Sequence, residues 1–124
     1  MLKEKYQELI DLGKEINLKA EYVKEEDGKL KIKGTTPYQL EKNIFWDKIK
    51  SFSNWKDEIS ADIRIASEDI YGIYEVKSGD TLSKISKKYL GDPMRYNDIF
   101  KLNTDILKNP DMIKVGQKLK IPNK

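Results

Sequence analysis

Any catalysis by this chain would have to rest on carboxylates, hydroxyls or amines. Its 124 residues include no Cys and no His. That removes disulfides, thiolate nucleophiles, thiolate metal sites and the side chain most used as general base or transition-metal ligand. The adjacent carboxylate pairs Glu25/Glu26 and Asp57/Glu58 fall in predicted turns or at strand ends, where solvated charge is the ordinary state. Glycoside hydrolysis needs two carboxyl groups about 5–10 Å apart across a cleft, and nothing in the pattern marks such a cleft. The chain therefore reads as non-enzymatic, with no cofactor required. Trp46 and Trp55 lie in or beside an apolar helix, which assigns them to packing ahead of sugar stacking.

The charge balance narrows the partners. There are 24 Lys and Arg against 21 Asp and Glu, a net charge of +3, and only Arg64 and Arg95 are arginines. Planar bidentate recognition of phosphate or guanine has little to work with, so nucleic acid is not an expected partner. No run approaches the ~20 apolar residues that cross a bilayer, so membrane insertion is not expected either. The start, Met1-Leu2-Lys3-Glu4-Lys5, has neither an apolar core nor a small-residue cleavage site. The location expected for the chain as translated is cytoplasmic.

Those side chains hang on two predicted α+β halves. In residues 1–66, Leu2, Tyr6, Leu9, Ile10, Gly13 and Ile16 share one face of a helix over about 3–16. Leu18, Ala20 and Tyr22 then alternate with charged residues, and Asp27-Gly28 is a two-residue hairpin signal. Leu30 and Ile32 answer as a second strand. Thr36-Pro37-Tyr38-Gln39 reads as a helix start, with Thr36 as cap, Pro37 in the first position and Gln39 completing a capping box. That helix carries Leu40, Ile44, Phe45, Ile49 and Phe52, and Ser53-Asn54 breaks it. Ile59, Ala61, Ile63 and Ile65 alternate as a third strand, giving the order αββαβ. Residues 67–72 are a short linker.

Residues 73–124 pattern differently. Tyr74 and Val76 alternate with Glu75 and Lys77, Gly79 supplies a turn, and Thr81 caps a helix bearing Leu82, Ile85 and Tyr89. Gly91 ends that helix in the left-handed region. Asp92-Pro93 opens a second helix with Tyr96, Ile99, Phe100 and Asn103 on one face. An irregular stretch runs to Val115, and Leu119 and Ile121 point inward from a closing strand. The order is βααβ.

This second half resembles a LysM module. The matching residues are Tyr74-x-Val76-Lys77-Ser78-Gly79-Asp80-Thr81-Leu82-Ser83-x-Ile85-Ser86, then Tyr96-Asn97-x-Ile99-Phe100-x-x-Asn103, Leu107-Lys108-Asn109-Pro110-Asp111-x-Ile113 and Gly116-Gln117-x-Leu119-x-Ile121-Pro122. The resemblance implies glycan binding in a shallow groove between two loops. Carried over by position, those loops are Gly79, Asp80, Thr81 and Leu82, facing Asn109, Pro110, Asp111, Met112 and Ile113. Main-chain groups would read an N-acetyl amide, and Leu82, Met112 and Ile113 would cover its methyl. The ligand so implied is a glycan containing N-acetylglucosamine, peptidoglycan or chitooligosaccharide. Val115 stands where many members have proline before the glycine.

The first half is similar in topology and turn pattern (Glu26-Asp27-Gly28-Lys29-Leu30-x-Ile32-x-Gly34-Thr35) to a BON domain. A BON-like module followed directly by LysM is similar to the bacterial BON–LysM family of cytoplasmic potassium-binding proteins. That resemblance implies a potassium ion as the alternative ligand, held mainly by the first half. Main-chain carbonyls suit such an ion and leave no residue signature to assign. The turn Ser53-Asn54-Trp55-Lys56-Asp57 is bulkier than that family's. LysM modules of this long type also occur in phage-tail and contractile-injection baseplate proteins, which gives a third, structural reading.

Overall fold

The computed structural model describes residues 1–123. They form an α+β protein of two compact units, one from Met1 to Glu68 and the other from Asp69 onward. Among the described residues no helix is long and apolar enough to cross a membrane.

The first unit runs α1 (Leu2–Lys5), α2 (Gln7–Glu15), β1 (Lys19–Glu26), β2 (Lys29–Thr36), α3 (Gln39–Lys50), α4 (Trp55–Glu58) and β3 (Ile59–Ile65). The single first helix expected from the apolar spacing is interrupted at Tyr6, whose backbone leaves the helical region at φ −109°, ψ 26°. Its ring is buried in the core, and its hydroxyl donates to Glu58 Oε1 at 2.7 Å. β1 and β2 are antiparallel and β2 and β3 parallel, in the order β1-β2-β3. The Asp27-Gly28 hairpin forms as expected, both residues at positive φ (55° and 76°), the twist that suits a two-residue turn. Tyr6, Leu9, Leu30, Ile32, Phe45, Ile49, Ile59 and Ile63 make the core.

Two expectations fail here for local reasons. The side chain of Thr36 does not cap α3. It is the last residue of β2, paired with Ile65 of β3, and its buried hydroxyl donates to the Tyr38 and Arg64 carbonyls at 3.1 and 3.4 Å. The helix starts two residues later, with Tyr38 at the cap position. Gln39, expected to complete the capping box, is the first residue of the helix instead, and its Nε2 donates to Asn43 Oδ1 at 2.7 Å. The second failure is in β1. An extra residue, Glu21, sits between the pairs Ala20↔Gly34 and Tyr22↔Lys33. A bulge of this kind inverts the facing of the residues beyond it, so Val23 packs on the core and Tyr22 turns outward. Trp46 and Trp55 meet edge to face at 5.9 Å and pack on the same core. Phe52 lies past the end of α3 and stacks edge to face on Tyr6 at 4.9 Å.

The second unit runs β4 (Gly72–Glu75), α5 (Leu82–Leu90), a 3-10 turn (Pro93–Arg95), α6 (Tyr96–Leu102) and β5 (Lys118–Ile121). β4 and β5 pair antiparallel, with Tyr74 opposite Leu119. Val76, Leu82, Ile85, Leu90, Ile99, Leu107, Leu119 and Ile121 form a separate core. The α5 start is as the residues predict, with Thr81 Oγ1 accepting from Lys84 N. Asp92 Oδ1 accepts from Met94 N but caps the 3-10 turn that Pro93 opens, and α6 follows with Arg95 at its cap position and no side-chain cap bond. Gly91 closes α5 at φ 78°.

Candidate functional site

The end of β4 builds the first loop. Asp80 folds back on it: its Oδ2 accepts the Tyr74 hydroxyl at 2.6 Å and the Lys77 N–H at 2.8 Å. The Asp80 N–H donates to Lys77 O, and Gly79 takes φ 86° to close the turn. The shared proton has consequences for both partners. The Tyr74 bond and the Lys77 N–H hold the Asp80 carboxyl below its usual range, and the same bond pushes the Tyr74 phenol up to about 12. Thr81 then caps α5, and Leu82, its first residue, is buried.

Asn109 shapes the second loop. Its Oδ1 accepts from Asp111 N at 2.9 Å and its carbonyl from Met112 N at 3.1 Å, the local side-chain bonding that makes Asn a turn residue. The loop returns through Gly116 at φ 91°. Val76 ties the two loops together, because its carbonyl accepts from Gly116 N at 2.9 Å and its N–H donates to Gln117 O at 2.8 Å.

Between the loops lies a cleft of about 380 Å³, a size that takes a small ligand. Asp80, Thr81, Leu82 and Ser83 line one side, Pro110, Asp111 and Ile113 the other, and Tyr96 completes it. Six of the nine residues singled out from the sequence are thus brought together. Gly79, Asn109 and Met112 are not in the lining. Gly79 and Asn109 shape their turns, while Met112 is 62% exposed. The apolar surface is therefore not the expected Leu82, Met112 and Ile113. It is Leu82 and Ile113 with Pro110 and Tyr96. The sequence pattern did not single out Ser83 or Tyr96 for the cleft. Tyr96 shares a helix face with buried Ile99, so its periodicity spoke for packing and hid its exposed part.

A larger depression of about 550 Å³ lies in the first unit, lined by Met1, Leu2, Lys5, Glu25, Glu26, Asp27, Gly28 and Glu58. Its carboxylates are engaged. Glu58 accepts from Lys5 Nζ and Tyr6, Glu25 from Lys3 N, and Glu26 pairs with Lys24 and Lys31. Among the described residues no three His, Cys, Asp or Glu gather as a metal-binding group.

The LysM family model matches residues 74–122, the stretch that builds both loops and the cleft. Residues 74–122 are a LysM domain. Over 49 residues the chain is 57% identical to the potassium binding protein Kbp of Escherichia coli O6:H1, covering 40% of this chain and 33% of that protein. An uncharacterized protein of Deinococcus radiodurans is 52% identical over 50 residues, 40% of this chain and 19% of that one. The spore coat assembly protein ExsA of Bacillus cereus is 48% identical over 52 residues, 42% of this chain and 8% of that one. The chain thus spans a third or less of each of these relatives.

Proposed function

We propose that this protein is a non-enzymatic binding protein whose LysM cleft recognises glycan containing N-acetylglucosamine, such as peptidoglycan or chitooligosaccharide. The observation that carries the reading is the cleft itself, formed between two loops of a LysM domain and lined by hydroxyl, carboxylate, apolar and aromatic groups. Sugars offer an apolar ring face and a polar rim, and a wall of Leu82, Ile113 and Tyr96 beside Thr81 and Ser83 complements both. Titrating the protein with chitotetraose while recording amide chemical shifts tests it. Shifts confined to residues 79–83, 96 and 109–113 are expected. A titration that leaves those amides unmoved would sink the proposal.

A second reading has its own support. The 57% identity to a potassium binding protein, together with the αββαβ order of the first unit, a BON-like arrangement, favours potassium binding inside the cytoplasm. A large, weakly hydrated cation is held by main-chain carbonyls in place of clustered carboxylates. Potassium-selective shifts across residues 1–66, absent with sodium, are the expected outcome. Neither the potassium binding protein nor the spore coat assembly protein is named for a tail or baseplate, and nothing further supports that reading.

A further inference from the structure

β1 is an edge of its sheet, and its outer main chain is open. Thr36 O accepts from Ala66 N beside β3, so by alternation Lys33, Lys31 and Lys29 turn their peptide groups the other way, to Tyr22, Lys24 and Glu26. The N–H and C=O groups of Val23 and Glu25 therefore face outward, beyond the bulge at Glu21. Every residue of the strand is exposed except half-buried Val23. The opposite edge differs: in β3 the outward-facing residues include Ile59 and Ile63, only 5% and 4% exposed with their main chain counted. Beside β1 an apolar slot of about 70 Å³ opens between α2 and the strand. Ile10, Leu18, Ala20 and Val23 line it, and the core residues Ile32 and Phe45 close its bottom. It is far smaller than the roughly 300 Å³ or more that a small-molecule ligand takes, and it suits one aliphatic side chain.

We propose that β1 accepts an extended segment of another protein as an added antiparallel strand, with one aliphatic side chain of that segment seated in the slot. Main-chain pairing supplies the affinity and the slot the selectivity. A residue opposite Val23 exchanges both main-chain bonds with it and places its side chain on the same face, that of the slot. The two residues before it in the segment then lie opposite Lys24 and Glu25. Charge complementarity across the new ladder asks for an acidic residue at the first and a basic one at the second, so the segment reads basic, acidic, aliphatic. Both host side chains stay exposed although each has a contact: Lys24 with Glu26 and the Tyr22 ring, Glu25 with Lys3 N. Lys14, also in the lining, disfavours a basic residue in the slot itself. A second copy of β1 fits poorly, because centring the pair on Val23 sets Glu21 against Glu25 on both flanks.

The probe is the blocked peptide Thr-Lys-Glu-Ile-Thr-Thr, titrated into the full chain to about 1 mM while amide shifts and hydrogen exchange are recorded. Shifts over residues 20–26 and slower exchange of the Val23 and Glu25 amides are expected. Methylating the main-chain nitrogen of the peptide's isoleucine removes its bond to the Val23 carbonyl and should weaken binding roughly tenfold. Replacing that isoleucine by aspartate should weaken it through the slot, which offers a buried carboxylate no partner. Ala20→Lys, at an exposed position of the lining, should block the peptide and leave the protein folded. A peptide that leaves residues 20–26 unmoved, or that binds as well when N-methylated, overturns the proposal. Shifts of the same residues that grow with protein concentration in the absence of peptide would make the occupant a second copy, and would overturn it too.

Discussion

The carboxamide of Asn103 stands in for a missing strand. The Ile121 carbonyl faces β4, accepting from Tyr71 N, so by strand alternation the peptide groups of Lys120 face away. Asn103 satisfies both: its Nδ2 donates to Lys120 O at 2.9 Å and its Oδ1 accepts from Lys120 N at 2.8 Å, while Nδ2 also donates to Ile99 O at 2.7 Å. The residue is 1% exposed, so water cannot easily replace it. Asn103→Leu keeps the volume and orphans two strand groups, and should destabilise the second unit by about 2–4 kcal/mol in urea melts. The Tyr74–Asp80 bond yields a second residue-scale prediction. Asp80, held low, contributes stability above the ordinary carboxylate range that is lost as pH falls through its depressed value. Tyr74, raised to about 12, contributes stability below the ordinary phenol value that is lost as pH climbs toward 12. In Asp80→Asn the phenol should titrate closer to its ordinary value, visible by ultraviolet absorbance, and the acid limb of the unit's stability profile should flatten. A phenol still titrating near 12 in that variant would show that burial, not the carboxylate, sets its pKa.

At the scale of elements, β1 turns on one glycine. A Cβ on Gly34 would lie 2.6 Å from the Lys19 carbonyl oxygen and 3.0 Å from the Ala20 Cα, so the two strands close up where the bulge begins. Main chain cannot yield as a flexible side chain would. Gly34→Ala should cost roughly 1–3 kcal/mol, the range for overpacking, and shift the amides of residues 19–23 in heteronuclear spectra. The same bulge explains what the sequence hid. Strict alternation from Leu18 points Tyr22 inward, yet one unpaired residue hands the core position to Val23, and only a glycine within the β2 pattern hints at it. Thr36 is ambiguous in sequence because a threonine before proline is equally a strand end and a helix cap, and only the pairing with Ile65 decides. Legible features are those closed within a few residues: the Asp27-Gly28 turn, the Thr81 and Asp92 caps, the Gly91 stop. Most of the cleft belongs with them, since loop motifs fix six of its eight lining residues. Tyr96 does not, because a residue half in a core and half in a cleft obeys the periodicity of the core.

For the molecule as a whole, the chief fact is that its two cores share no member. Tyr6 to Ile63 supply one and Val76 to Ile121 the other, and each sheet draws its strands from one unit alone. Every hydrogen bond described for the cleft loops begins and ends between Tyr74 and Gln117. A fragment of residues 69–124 should therefore fold unaided, although so small a domain buries a modest share of its surface and will be marginal. Its amide spectrum should overlay that of the intact chain across residues 74–122, and chitotetraose should move the same cleft resonances at the same concentration. Potassium, under the second reading, should move nothing in the fragment and should act only on the chain that retains residues 1–66. A fragment that folds but no longer answers to sugar would mean that the cleft needs the first unit, and the LysM domain would lose its standing as a self-sufficient binding site.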